Sequence, residues 1–314
     1  MYLESFANIF HRAQTADSTR LAQDLALLVG NSASPNLQNV FSGASAAPGL
    51  RSRLPRGIRG DAARNSDYRA DDLMTTRALK PAQLEQFRRL STCLAASAIE
   101  TFRVRLPNTG FADSSIRCIF EDQPAMAGYA ATARMRSSSP RMETGKSYNY
   151  YDRTDWWNHI LSIPAPRVVV IEDVDDPPGL GAFVGEVHAN ILLALGCIGI
   201  VTNGAVRDLP DIRPTEFQMF AGNVSVSHAY AHVFDFGGAV EVGGLKVQPG
   251  DLIHGDCHGV QTIPPEIADK VPAAAREVRQ RRQDLVGLRR SAGFTIEKLR
   301  QAIRDTASDH QLAK

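Results

Sequence analysis

The sequence has little that would commit it to a special environment. Its four cysteines, Cys93, Cys118, Cys197 and Cys257, include no C-x-x-C pair. That spacing indicates neither a zinc knuckle nor a disulfide framework, so free thiols in a reducing compartment are expected. Neither sign of charge dominates. A balance of 35 Lys+Arg against 34 Asp+Glu, net +1, lacks the electrostatic footprint of a general nucleic-acid or membrane-surface binder. No apolar run approaches the ~20 residues that a membrane-spanning helix needs, and the N-terminus lacks the layout of a secretory signal peptide. There is no internal repeat. These absences give the expectation of a cytoplasmic protein that binds no nucleic acid and no membrane.

With 314 residues, 43% of them hydrophobic, the chain has enough material for one large or two modest domains. Residues 1–73 differ from the rest. After a weakly amphipathic stretch come Asn31-Ser32-Ala33-Ser34-Pro35, then Ser42 to Gly49, then Arg51, Arg53, Arg56, Arg59, Arg64 and Arg69. Such a segment has little to bury and is expected to be a disordered extension, or to follow from a mis-assigned start upstream of Met74. An Arg- and Ser-rich leader also suits an organelle transit peptide, but Glu4, Asp17 and Asp24 count against that. Residues 74–314 form the expected globular domain.

Helix signals begin at Pro81 and again at Ser91, a capping residue. A small-residue strand is expected between Ala127 and Met135, and a loop from Ser137 to Tyr151. Trp156 to Ile160 reads as a short helix or turn, and Arg167-Val168-Val169-Val170-Ile171 as a buried strand. Helical spacing runs from Ala182 to Leu195 with Gly196 as the stop, and a second buried strand covers 198–202. This order is a βαβ unit and implies an α/β fold with parallel strands. Beyond Phe220 the period changes to two through Val224, Val226, His228, Tyr230 and His232, and a hairpin follows around Gly243-Gly244. Pro264 to Arg290 and Thr295 to Ala307 read as C-terminal helices.

Two stretches carry chemistry. Gly204-Ala205-Val206-Arg207-Asp208 lies past a buried strand, where α/β proteins bind ligands. Arg207 can clamp a carboxylate with its planar fork, and Asp208 is a hard oxygen ligand suited to Mg²⁺ or Mn²⁺. Gly185-Glu186-Val187-His188 opens a helix, whose unpaired N–H groups and dipole favour an anion. Taken singly, each has a plainer reading as helix packing or a surface salt bridge. Other groups are weaker. His228 and His232, placed on one strand, would sit ~13 Å apart and share no ion, which leaves them as two polar residues on one sheet face. His254-x-Asp256-x-His258 places alternate residues on one face, either as a metal grip on a bent strand or as a hydrogen-bonded cluster, the plainer reading. The Arg276 to Arg282 run suits a solvated helix face. Tyr148, Tyr150, Tyr151, Trp156 and Trp157 suit loop packing, or a lid over a pocket.

Together these residues resemble the RraA-like family, which contains 4-hydroxy-4-methyl-2-oxoglutarate aldolases and the regulator of ribonuclease activity A. The likeness covers about Leu90 to Arg290. It rests on Gly185-Glu186-Val187-x-Ala189, on Gly199 through Asp208, on Val247-x-Pro249-Gly250-Asp251 and on Gly255-Asp256-x-x-Gly259-Val260. The resemblance implies a swivelling β/β/α single domain with C-terminal helices, and homotrimers or dimers of trimers with sites at subunit interfaces. It also implies metal-dependent aldol cleavage of a 4-hydroxy-2-oxo acid to pyruvate, with oxaloacetate decarboxylation as a side activity. Carried over, Gly185, Glu186, Val187 and His188 contact the substrate carboxylate, Arg207 binds substrate, and Asp208 holds Mg²⁺ or Mn²⁺. Arg207, Asp208 and Glu186 form the catalytic set, with Glu186 orienting water. Val187 replaces the usual Leu, and Asn203 stands where many members carry Asp. The competing function is a non-catalytic regulator that binds and inhibits a ribonuclease; the Arg207-Asp208 pair favours the enzyme. If residues 1–73 contribute nothing to the core, a chain shortened to begin at Met74 should match the full chain in thermal midpoint and in oligomer mass by light scattering; aggregation on shortening would contradict this.

Overall fold

The run Arg167 to Ile171 has no polar alternation, so a strand made from it needs cover on both faces. In the computed structural model, which describes residues 78–140, 154–290 and 293–312, this run is the middle of a nine-stranded sheet. The expectations for residues 1–73 and for Tyr148, Tyr150 and Tyr151 lie outside the described residues.

Among the described residues, two helices come first. Helix α1 (Pro81–Arg88) has proline at its start, and α2 (Thr92–Phe102) is capped by Ser91, whose hydroxyl accepts from the Leu94 amide at 3.2 Å. Next come β1 (Arg117–Cys118), β2 (Met126–Arg136), α3 (Thr154–Ser162) and β3 (Arg167–Asp173). The centre of the chain contributes β4 (Ala182–Val184), α4 (Glu186–Ala194), β5 (Cys197–Val206) and a short α5 (Leu209–Ile212). Then follow β6 (Gln218–Val224), β7 (His232–Phe236), β8 (Val240–Val242), β9 (Leu245–Val247), β10 (Leu252–Asp256) and β11 (Gly259–Ile263). Helices α6 (Val271–Arg290) and α7 (Ile296–Leu312) close the described chain.

The sheet order is β1-β6-β5-β3-β2-β10-β11, with β2, β3, β5 and β6 parallel and the outer pairings antiparallel. Strands β8 and β9 form a separate hairpin over one face. Val240, Val242, Leu245 and Val247 on that hairpin share a buried cluster with Met126, Val168, Val170, Val201 and Phe220. Each such side chain contributes roughly 1.5–3 kcal/mol when taken fully from water. This is the expected α/β swivelling β/β/α domain with C-terminal helices.

Two substitutions of one strand by another shape the ligand end of the sheet. Strand β10 runs beside the first half of β2, from Met126 to Tyr129, and β7 takes over beside Ala133 to Arg136. Likewise β3 pairs β5 through Thr202, and β4 takes over at Ala205 and Val206. The switch follows from how β3 ends. The Asn203 side chain accepts from the Asp173 amide at 2.7 Å and donates to the Asp173 carbonyl at 2.9 Å, closing the strand. An aspartate there could accept but not donate. Asn203 is therefore a structural clamp at the end of β3.

Three expectations are corrected. Ala182 to Val184 is strand rather than helix, because these fully buried side chains pair with β5, and the helix starts at Glu186. The second buried strand continues past Thr202 to Val206. The alternation from Val224 to His232 is not one strand: β6 ends at Val224, β7 begins at His232, and a loop with Val226 94% exposed lies between. Trp156 and Trp157 are buried, and Trp156 packs on His159 and Phe236, so these two serve packing.

Arg167 joins three elements. Its guanidinium donates to the carbonyls of Ile163 at 2.6 Å, Leu195 at 2.7 Å and Leu161 at 3.1 Å, tying the entry of β3 to the ends of α3 and α4. Replacing Arg167 with Met keeps the stem but leaves three carbonyls without their donor. A loss of about 3 kcal/mol is expected, since hydrogen bonds from a charged donor contribute ~1.5–3 kcal/mol each and solvent recovers part. Urea denaturation should show a lower midpoint with an unchanged m-value.

Candidate functional site

Helix α4 begins with a residue that has no side chain. Gly185 precedes it in an extended conformation, and a methyl group there would run into Oδ2 of Asp208 and crowd Cγ of Arg207 at 3.1 Å. Glycine thus lets the end of β5 approach the start of α4. The approach is guided by the parallel pairing of β4 with β5, and the Arg207 amide donates to the Val184 carbonyl at 3.0 Å. The two sequence motifs therefore end side by side.

Asp208 is the point of contact. Its Oδ2 accepts the Glu186 amide at 3.1 Å, and its Oδ1 accepts Arg207 Nε at 2.9 Å. Its backbone is left-handed, φ 56° and ψ 37°, a conformation Asp tolerates better than most residues. Its carbonyl accepts the amides of Asp211 and Ile212, both at 3.1 Å, so α5 is seated on it. Partial burial alone would raise the Asp208 pKa. The Glu186 amide, the Arg207 guanidinium and the charge of nearby His228 outweigh that and hold it below the ordinary carboxylate value. The carboxylate is thus an anion at working pH, placed on the positive end of α4.

The remaining predicted residues occupy distinct places. Glu186 and Val187 are exposed on the first turn, and Val187 and His188 supply its next amides. The His188 side chain turns inward and stacks on Phe183 with ring centroids 4.9 Å apart. Burial, with help from His228, pushes its pKa down to about 3, so the ring is neutral. His188 thus offers the site its backbone rather than its imidazole. His228 and His232 do not share a strand face. His228 Nδ1 lies 2.8 Å from the Ala182 carbonyl, and His232 Nδ1 lies 2.7 Å from the Tyr230 carbonyl. His228 was not read as part of this site, because its neighbour across the β6–β7 loop is distant in sequence.

The cation fit can be judged from the donors. Asp208 is ionised, its side chain is 29% exposed, and each oxygen already accepts one hydrogen bond. One hard carboxylate of this kind suits Mg²⁺ or Mn²⁺, which keep several waters and take further oxygens from substrate. Arg207 Nε is committed to Asp208, and its side chain stays 30% exposed.

The His254-x-Asp256-x-His258 grip is not formed. His254 is buried, its Nε2 lies 3.0 Å from the Phe87 carbonyl, and burial lowers its pKa. Asp256 ends β10, and His258 lies in the following turn.

The comparisons with known proteins bear on the same region. A family model described as RraA-like, Aldolase/RraA, matches residues 95–261. An uncharacterized protein of Methanocaldococcus jannaschii is 27% identical over 175 residues, 55% of this chain and 76% of that protein. A protein of Halalkalibacterium halodurans that bears the name of a 4-hydroxy-4-methyl-2-oxoglutarate aldolase is 31% identical over 84 residues, 26% of this chain and 40% of that protein. Two solved structures share the fold. One is an uncharacterized protein from Pseudomonas syringae, with TM-score 0.54 and 21% identity over 71% of this chain and 94% of that chain. The other is a Streptomyces coelicolor protein described as an unusual member of the RNase ES inhibitor RraA protein family, with TM-score 0.53 and 17% identity over 68% of this chain and 100% of that chain.

The Asp208 contacts have a pH consequence. A carboxylate with a lowered folded-state pKa contributes stability that is present above its unfolded value, near 3.8, and is lost as pH falls through the folded value. Asp208→Asn should therefore lose less stability than the unaltered protein between about pH 5 and pH 3. Parallel acid limbs in the two thermal midpoint profiles would show that these contacts give Asp208 no ionisation preference.

Proposed function

Because the chain belongs to the RraA-like family, we propose that it is a divalent-cation-dependent carbon–carbon lyase. The family includes both aldolases and ribonuclease-inhibiting members. The substrate class is a 4-hydroxy-2-oxo acid of the 4-hydroxy-4-methyl-2-oxoglutarate type, cleaved to pyruvate, with oxaloacetate decarboxylation as a side activity. The observation that carries this reading is the joining of Glu186, Asp208 and Arg207 through one carboxylate. That arrangement sets an anion-binding helix start, a cationic fork and a hard oxygen ligand within one small space.

The roles follow from the chemistry of each group. When bound at Asp208, Mg²⁺ or Mn²⁺ would supply Lewis-acid polarisation of the 2-oxo acid. The first-turn amides at Gly185 to His188 anchor the substrate carboxylate. Arg207 places a fixed positive charge beside the oxygen that gains charge as the C3–C4 bond breaks. The 4-hydroxyl must lose a proton in that step, and C3 must later gain one to complete pyruvate. Glu186, exposed on the helix start, is placed to relay both through water. A homotrimer or dimer of trimers is part of this proposal. It is supported by the exposed apolar side chains Leu180, Val187, Val224, Val226 and Tyr230 on the segments around the site.

Pyruvate release from a panel of 2-oxo acids, with Mg²⁺ and with EDTA, tests the reading. Turnover should need the cation and vanish in Asp208→Asn. Arg207→Lys should lose at least roughly tenfold in kcat/KM, about 1.4 kcal/mol, because lysine keeps the charge and loses the fork. Oxalate, a planar mimic of pyruvate enolate, should bind only with the cation present. No turnover on any member of the panel, together with tight inhibition of a ribonuclease, would replace the enzyme by the regulator.

A further inference from the structure

The β10–β11 connection gathers three donor atoms of different chemistry. The register pairs Asp256 with Gly259, so Cys257 and His258 are the two turn residues of a tight hairpin. Gly259 has φ 123°, outside the range comfortable for other residues, and it lets the chain reverse there. Within this turn Cys257 Sγ lies 3.3 Å from His258 Nδ1, and His258 Nδ1 lies 3.0 Å from Asp256 Oδ1. One ligand atom from each of the three residues falls within 4.8 Å of the other two. A tetrahedral ion with bonds of ~2.0 Å to nitrogen or oxygen and ~2.3 Å to sulfur separates its ligands by about 3.3–3.6 Å. The Cys257–His258 and His258–Asp256 spacings lie within a few tenths of an ångström of that figure, and the third pair lies within 4.8 Å.

The carboxylate is also held in place. Asp256 Oδ2 accepts the Thr92 amide at 2.9 Å, and Oδ1 accepts the His258 amide at 2.9 Å. These bonds fix the orientation of Asp256 as outer-shell partners do in metal sites. The cysteine and histidine side chains are open to solvent, which gives an ion a path in.

We propose that Asp256, Cys257 and His258 form a second cation site, for a borderline-soft ion of the Zn²⁺ class, with one coordination position open. A thiolate and an imidazole disfavour Mg²⁺ and Ca²⁺ and select Zn²⁺ or Co²⁺. Binding displaces the proton of the Cys257 thiol to solvent, and a neutral His258 that binds through Nδ1 carries its single ring proton on Nε2. The site is independent of Asp208. Strand β10 runs antiparallel to β2, so its end lies beside Met126 at the start of β2, whereas Asp208 follows the end of β5, which runs parallel to β2 by way of β3. The two lie at opposite ends of the sheet, on the order of 30 Å apart along the strands at about 3.3 Å per residue.

Cobalt reports this site directly, because a thiolate ligand gives Co²⁺ a charge-transfer absorption. The full chain, stripped with chelator and kept reduced without added thiol, should take up one Co²⁺ per chain with that band, and Zn²⁺ should displace it. Cys257→Ser and His258→Ala, both at exposed positions, should lose the band and weaken Zn²⁺ binding by at least the roughly hundredfold that even outer-shell changes reach. Asp208→Asn and Cys118→Ser should keep it, which separates this site from the proposed lyase centre and from another cysteine. Absence of the band at millimolar Co²⁺ in the unaltered chain would overturn the proposal, leaving a hydrogen-bonded turn. Retention of the band in Cys257→Ser would overturn it equally.

Discussion

The parallel pairing of β4 with the last residues of β5 is the constraint on which the candidate site depends. Without it, Gly185-Glu186 and Arg207-Asp208 would be two polar stretches 22 residues apart in the chain. With it, both strands end at one level and their following residues meet. The Glu186 amide then has an acceptor, Asp208 gains a reason to stay ionised, and α5 gains a seat on the Asp208 carbonyl. The glycine at 185 makes the closeness possible, and the neutral, inward-facing His188 fills the space beneath.

The charge pattern around this point is economical. Asp208, Arg207 and His228 lie near one another, while His188 and Arg167 are drawn into the protein and engaged there. A burial penalty acts on Asp208 as it does on buried Asp173, yet the outcomes differ. Asp173 accepts the Gly179 and Asp175 amides, and burial still pushes its pKa up. Asp208 adds a guanidinium to its amide, and its pKa goes down. Asp173 is far more deeply buried and has the Asp175 carboxylate beside it, whereas Asp208 is partly exposed and gains a guanidinium, and together these differences decide between the two.

Much of the fold was legible because apolar runs and turn residues act locally. Val168 to Ile171, the Ser91 cap and the Gly243-Gly244 hairpin all read correctly for that reason. The errors share a different cause. Ala182 to Val184 continues the spacing of the following helix, and only its pairing with distant Ala205 and Val206 makes it strand. Val224 to His232 alternates like a strand, but its backbone bonds go to separate elements, with the Ser227 carbonyl accepting from the Ala182 amide and the Tyr230 amide donating to the Ser137 carbonyl, so no single ladder continues. At the site, the residue types on Arg207-Asp208 and Gly185 to His188 were readable and the family resemblance grouped them, whereas the hydrogen bond that joins them through the Asp208 carboxylate leaves no local trace across 22 residues. Cys257 went unread as a partner of Asp256 and His258 because alternate residues were assumed to share a face, whereas a tight turn gathers consecutive ones.

The handover from β3 to β4 beside β5 divides the sheet by strength. Toward the start of the parallel strands, long elements are paired over many residues and covered by the β8–β9 hairpin. Toward their ends, the β2–β3 and β5–β6 pairings continue, but the added neighbours are the three-residue β4 and the five-residue β7. Such short pairings open at a fraction of the cost of global unfolding. At that end β4 is tied to the rest of the sheet through β5 alone, so whatever spans Gly185 and Asp208 would act as a clasp between the two strands.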